Sequence, residues 1–282
     1  MNKDVTELSS VRIVAIARAV AYPDTPEKLV SLISELDKNG IPFVVVGRMS
    51  NVLFKDRCYD GVLIKTTEIK NKIRAEEQIE VLCGNTVTDI THCAAEVDLG
   101  GFEGLFGIPG TIGGMIRQNA GAFSYEISER FINATCYLVR ERSLRKFTKE
   151  EMRFAYRESV LKDKNIILLG ATLSFLPKER DEIYAEIREY AKRRRDSQPI
   201  ELPSLGSTFK RCNGLSAGYY IDAAGLKGYS IGGAQVSVKH AGFIVNQGGA
   251  TAEDYIKLIH CIKSKVYAAF GVELEEEIEI IG

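Results

Sequence analysis

The chain has almost no net charge, no long apolar run and no clustered metal ligands. Its 282 residues carry a formal charge of -1, so no long-range field draws in nucleic acid or an anionic membrane. An anionic ligand must be held by local groups. The most apolar early stretch, 11–22, is broken by Arg12 and Arg18 and is too short to span a bilayer. Asp4 and Glu7 near the N-terminus do not fit a signal peptide. Cys58, Cys83, Cys93, Cys136, Cys212 and Cys261 are scattered without a C-x-x-C pair, as expected for reduced thiols in a cytoplasmic protein. The histidines are dispersed too, so no metal site is expected. Internal repeats and low-complexity tracts are also missing.

What is present reads as a globular α/β enzyme. Hydrophobic residues make up 45% and charged residues 27% of a chain long enough for two or three small domains. Thr25-Pro26-Glu27 has the cap, first-turn proline and acidic residue of a helix start, and Leu29, Leu32, Ile33 and Leu36 follow at helical spacing up to Gly40. Pro42–Val46 reads as a buried strand ending at Gly47, which places Arg48–Asn51 at a strand end, where α/β layers put ligand loops. A second helix is expected over 86–97, with Val87, Ile90, Cys93, Ala94 and Val97 on one face. Residues 181–195 read as a charged surface helix, and Pro199 and Pro203 mark a domain junction. A further helix covers 251–270, with a capping box at Thr251 and Asp254. The chain closes on an alternating strand over 274–281, which would set Glu275, Glu277 and Glu279 on one face.

The glycine-rich stretch 100–114 is expected to lack regular structure and to let backbone N–H groups approach a pyrophosphate. It has neither the G-x-G-x-x-G spacing after a strand nor a Walker lysine. Ser207, beside Lys210 and Arg211, could donate a proton or bind phosphate, although a turn serine is the plainer reading. No G-x-S-x-G elbow supports a serine hydrolase. Arg157, among Phe154 and Tyr156, could clamp a carboxylate or pair with Glu151 or Glu158. Glu277 alone reads as one member of a solvated acidic face.

Several segments together resemble one family. Gly47-Arg48-Met49-Ser50-Asn51-Val52-Leu53 is similar to the flavin-contacting G-x-G-S-N-x-L element of the UDP-N-acetylenolpyruvoylglucosamine reductases. The segments 104–114 and 118–122 resemble their second flavin loop, Phe154–Ser159 their F-x-Y-R-x-S, and Leu202–Lys210 their P-S-x-G-S-x-F-K. Residues 224–228, 231–237 and 274–282 match as well. The resemblance implies a two-subdomain FAD-binding fold of the vanillyl-alcohol-oxidase/PCMH type plus a C-terminal α/β substrate domain. The expected boundaries are 1–75, 76–198 and 199–282. It implies FAD and NADPH as cofactors: NADPH reduces the flavin, and hydride passes to the vinyl ether carbon of UDP-N-acetylglucosamine enolpyruvate to give UDP-N-acetylmuramate for peptidoglycan. A monomer with a nucleotide-sugar substrate is expected.

By the same resemblance Arg157 and Glu277 stabilise an enolate-like carboxylate and Ser207 protonates the adjacent carbon. Gly47, Arg48, Met49, Ser50, Asn51, Ile108, Pro109, Gly110, Thr111, Gly113, Gly114, Asn119 and Gly121 would contact FAD, and Lys210 and Arg211 the substrate diphosphate. The short span from Arg157 to Ser207 resembles the family's second type, without a substrate-covering tyrosine loop. Three positions depart from the pattern. Val14-Ala15 stand for a Gly-Gly pair, Met49 for a glycine and Cys212 for a proline. Met49 is expected to restrict the loop's approach to FAD, because methionine must take an ordinary conformation or bear strain. Two other readings stand beside the reductase one: a divergent nucleotide-sugar-binding or regulatory protein with weak or lost flavin turnover, motivated by Val14, Ala15 and Met49, and a related FAD oxidase acting on an alcohol, against which Arg157, Ser207 and Glu277 argue.

Overall fold

The computed structural model describes residues 2–282. They gather into two units, one of Val20–Arg48 and Gly61–Lys192, the other of residues 2–19, Met49–Asp60 and Arg193–Gly282. Each unit has its own apolar core. No helix among the described residues is long and apolar enough to cross a membrane.

In the first unit, helix α1 (Pro26–Lys38) starts where expected: Thr25 Oγ1 accepts from the Lys28 amide at 3.3 Å. Leu29, Ile33 and Leu36 are buried. Gly40 turns the chain with φ +62° into the strand Phe43–Val46, which pairs in parallel with Val62–Lys65. Helix α2 (Val87–Ala95) opens on a capping box between Thr86 and Asp89. It is shorter than expected. Asp98 takes a left-handed φ of +56°, and Val97 is 51% exposed, so Val97 leaves the apolar face.

The glycine-rich stretch is more regular than expected. Helix α3 (Ile112–Arg117) runs through Gly113 and Gly114, because Thr111 caps it and Ile112, Met115 and Ile116 are buried. Burial of three large side chains outweighs the low helix propensity of two glycines. An antiparallel sheet orders the strands Ser143–Thr148, Phe131–Leu138, Ile166–Ser174 and Gln78–Leu82. Helix α4 (Arg180–Ser197) packs Ile183 and Ile187 against Ala95 and leaves most of its charge in water.

The second unit is built on an antiparallel sheet in the order Ser204–Ser207, Phe243–Asn246, Ala234–Val236, Ser230–Ile231. Helices α5 (Ala217–Ala223) and α6 (Ala252–Phe270) belong to it. The expected Thr251–Asp254 capping box is present, and Tyr255, Leu258, Ile259, Ile262 and Val266 are buried. The terminal segment corrects the sequence reading. It is not one alternating strand, because it changes partner along its length: Glu276 bridges Phe209, and only Glu279–Ile281 forms a strand, parallel to Val52–Phe54. Glu275 stays exposed while Glu277 and Glu279 are half-buried, so the three do not share a solvated face.

Candidate active site

Ser207 closes a sheet strand opposite Phe243, after Gly206 has turned the chain with φ +78°. The Thr208 amide donates to the Gly242 carbonyl at 2.9 Å. A Cβ on Gly242 would stand 3.0 Å from His240 Cε1 and 3.5 Å from Ser207 Oγ, so any side chain at 242 would crowd the imidazole and the hydroxyl alike. His240 Nδ1 accepts from the Gly242 amide at 3.1 Å. Burial, reinforced by the Lys227 charge, holds its pKa below the usual histidine value. The ring is then neutral, with its one proton on Nε2. Sequence reasoning missed His240, since a lone histidine on a turn carries no spacing signal.

Glu277 is held next to Ser207 through the backbone. Its amide donates to the Thr208 carbonyl at 2.8 Å, and its carbonyl accepts from Asn51 Nδ2 at 3.1 Å. One hydrogen bond therefore links Thr208, the residue after Ser207, to Glu277. Lys210, expected to meet a diphosphate, pairs through Nζ with Glu275 at 2.6 Å, and only 15% of its side chain is exposed. Arg211 is exposed. Cys212 sits at a tight turn with Leu215, where Asn213 and Gly214 take positive φ, and burial raises its thiol pKa. A proline at 212 would lack the amide that donates to the Leu215 carbonyl at 3.0 Å.

Met49 also differs from expectation. Of the two alternatives open to methionine it takes the strained one, with φ +54°, the value a glycine would take, but its side chain is packed away at 2% exposed. The Met49 carbonyl accepts from the Ser10 amide at 3.4 Å. Because the side chain is packed away, it does not stand between the loop backbone and a ligand. Left-handed backbone costs a non-glycine residue roughly 1–2 kcal/mol, whereas emptying a buried methionine site costs about 2–5 kcal/mol. Met49→Gly should therefore lower stability by up to about 4 kcal/mol on those two figures and leave FAD affinity no tighter. Urea unfolding and flavin fluorescence titration check this; clearly tighter FAD would restore the steric idea. Of the other departures, Val14 is 47% exposed and Ala15 is buried. The preceding Val11 and Arg12 carbonyls are both held by Asn246 Nδ2, at 3.0 and 3.2 Å.

In the first unit, two glycine-bearing loops meet. A Cβ on Gly47 would collide with Thr111 Oγ1, so Gly47 is required by the N-cap of α3. Arg48 is exposed beside it. Ile112 and Gly113 are tied through their amides to the Asn85 and Cys83 carbonyls, at 2.7 and 2.9 Å. A Cβ on Gly107 would meet open space, and one on Gly114 only Thr111 Oγ1 at 3.8 Å. Together with half-buried Ile108, exposed Pro109 and buried Gly110, this surface offers backbone rather than bulky side chains, the Thr111 hydroxyl being buried as the cap of α3. The Ile108, Ile112, Gly113 and Gly114 amides are spent inside the protein, so the pyrophosphate of a flavin dinucleotide would rely on the amides of Gly107, Gly110 and Thr111 and on the Arg48 cation. Asn119 is engaged differently: its buried amide group bonds Glu126, the Ala155 carbonyl and the Ser128 amide. A cofactor contact there would fall to its backbone.

Arg157 stands in a two-residue turn between Ala155 and Glu158, with φ +57°. Left-handed arginine is strained, and such strain clusters at functional positions. Its Nη2 donates to the Gly121 carbonyl at 2.9 Å, its Nη1 reaches the Asn119 carbonyl at 3.4 Å, and the guanidinium lies 4.9 Å from the Tyr156 ring centroid. Glu151, a possible partner on sequence grounds, pairs with Arg145.

Residues 17–138 match the FAD binding domain family, and residues 198–281 match the C-terminal domain of UDP-N-acetylenolpyruvoylglucosamine reductase. The reductase of Caldicellulosiruptor saccharolyticus is 42% identical over 100% of this chain and 91% of its own length. That of Listeria monocytogenes is 39% identical over 100% of this chain and 94% of its own. The crystal structure of the Thermus caldophilus enzyme superposes with a TM-score of 0.84 at 27% identity, covering 100% of this chain and 98% of that one. Matched end to end by such relatives, and carrying the Thr208–Glu277 backbone bond beside Ser207 in one unit and the glycine loops in the other, the chain belongs to the UDP-N-acetylenolpyruvoylglucosamine reductase family.

Proposed function

We propose that this chain reduces UDP-N-acetylglucosamine enolpyruvate to UDP-N-acetylmuramate, with FAD bound and NADPH as reductant, in the cytoplasm and as a monomer. Full-length similarity to reductases of that name carries the reading. In this reading 1–75 and 76–198 form the two FAD-binding subdomains, and 199–282 forms the substrate domain. The family matches, 17–138 for FAD and 198–281 for the C-terminal domain, support that division. Gly47, Arg48, Ser50 and the 108–114 loop hold the cofactor, which when bound supplies the hydride for the vinyl ether carbon.

The chain's own residues then manage charge and a proton. Hydride addition makes the substrate carboxylate enolate-like. The Arg157 guanidinium offers parallel donors to its oxygens, and Glu277, protonated, donates a further hydrogen bond. Ser207 Oγ–H gives its proton to the neighbouring carbon, and the oxygen regains one from solvent. A serine hydroxyl is a usable acid only against so strongly basic a centre. Lys210 and Arg211 face the diphosphate.

The test is NADPH consumption by the FAD-loaded protein, with and without the enolpyruvyl nucleotide sugar. Consumption that does not depend on that substrate would defeat the proposal. The Lys210–Glu275 pair adds a prediction. Substrate diphosphate must draw Lys210 from Glu275, and because the Glu275 end of the pair is 71% exposed and screened by water, the pair holds by about 0.2–1 kcal/mol. Glu275→Gln should therefore lower the substrate KM by up to about fivefold with kcat little changed. An unchanged KM would remove Lys210 from the diphosphate site.

A further inference from the structure

Asn51 ends the loop whose residues were assigned to the flavin, yet its side chain is engaged elsewhere. Nδ2 donates to the carbonyl of Glu277 at 3.1 Å, across 226 residues of sequence. The backbone carbonyl of Asn51 accepts from the Glu279 amide at 2.9 Å. One side-chain bond and one main-chain bond thus grip the segment on both sides of residue 278. From the opposite direction, the Glu277 amide donates to the Thr208 carbonyl and the Lys210 amide to the Glu275 carbonyl, each at 2.8 Å.

Glu277 lies outside regular structure, between the Glu276–Phe209 bridge and the strand Glu279–Ile281. No continuous ladder fixes it. Its amide is held by Thr208 and its carbonyl by Asn51. Thr208 follows Ser207, so one contact ties Glu277 to the serine and the other orients it. A carboxyl must stand within a few tenths of an ångström of its working geometry to act on a substrate. The residue type suits the task. A carbonyl needs a donor, alanine supplies none, and aspartate would set an acceptor against it.

We infer that Asn51 is a positioning residue for Glu277: its side-chain amide fixes the Glu277 peptide, and through it the placement of the carboxyl relative to Ser207. The claim rests on the role given to Glu277 under Proposed function. It makes one loop serve two purposes, with Ser50 toward the cofactor and Asn51 toward the catalytic carboxyl.

The test uses Asn51→Asp, which keeps size and loses the donor, and Asn51→Ala, which adds no charge. Without cofactor, hydrogen exchange of the 275–279 segment should quicken by about tenfold in both variants, the value of one hydrogen bond. With FAD bound, reduction by NADPH should stay near wild type, while single-turnover reaction with the enolpyruvyl substrate slows by about tenfold or more. On a Glu277→Gln background, Asn51→Ala should add little further loss, since the two residues act as a unit. Unchanged exchange overturns the inference. So does a loss of FAD affinity with an unaltered substrate step, which would make Asn51 a cofactor ligand, and so do fully additive losses. Should the wild-type protein fail to turn over this substrate, the functional reading falls, and the exchange experiment alone decides whether Asn51 fixes Glu277.

Discussion

Ser207→Ala should reduce its bound FAD with NADPH at nearly the wild-type rate and yet form product about 10²–10⁴-fold more slowly, the usual worth of a positioned general acid. The hydroxyl sits at a strand end, its neighbour Thr208 pinned to Gly242 on one side and to Glu277 on the other. Alanine keeps that backbone, since nothing in the strand pairing uses Oγ. The deletion therefore removes a proton and little else. His240 stands close by but is a poor replacement. Its Nδ1 accepts from the Gly242 amide, so its single proton is on Nε2, and burial opposes the imidazolium form that could release one easily. Stopped-flow recording of the two half-reactions separates the effects. Normal product formation would remove Ser207 from the mechanism, and slowed FAD reduction would mean that it shapes the cofactor site instead.

The parts of this molecule legible in the sequence are those written in local chemistry. The caps at Thr25 and Thr251 and the apolar face of α6 follow from residues three or four apart, and they stand where the pattern puts them. The catalytic candidates were legible for a different reason: Ser207, Arg157 and Glu277 lie in segments that resemble a family. Physics alone made Glu277 a member of an acidic face. What the sequence hid depends on contacts between distant segments. Nothing in residues 274–281 reveals that pairing passes from Phe209 to Val52–Phe54, which is why an alternating pattern was read as one strand. Nothing local reveals that Gly113 and Gly114 are helical, because the burial of Ile112, Met115 and Ile116 decides it. Met49 is the clearest case. In a loop taken alone its side chain is an obstruction, whereas the structure gives it a buried site and lets the backbone accept the left-handed turn. The partner of Asn51 is equally distant, since residue 277 lies 226 positions along the chain.

Arg157→Lys should lose about a hundredfold or more in the reaction with substrate, by analogy with the removal of one donor from a site of developing negative charge, although the formal charge is kept. Arg157 is fixed in three ways: a left-handed φ of +57° in a tight turn, the Gly121 and Asn119 carbonyls, and the Tyr156 ring. A guanidinium can hold its anchor carbonyls and present parallel donors to a carboxylate at once, because it carries five N–H groups in one plane. An ammonium has three on a single atom and must choose. The lysine that keeps the Gly121 contact cannot also meet the substrate squarely, and the one that turns to the substrate gives up the anchor. Both carry the backbone strain, so global stability should change little. That makes the comparison clean: thermal unfolding near wild type, FAD reduction by NADPH near wild type, and a slow substrate half-reaction. Wild-type turnover by Arg157→Lys would show that positive charge alone suffices. A large drop in unfolding temperature would instead identify Arg157 as a clasp for the 119–121 segment, with its two carbonyl bonds as the main purpose.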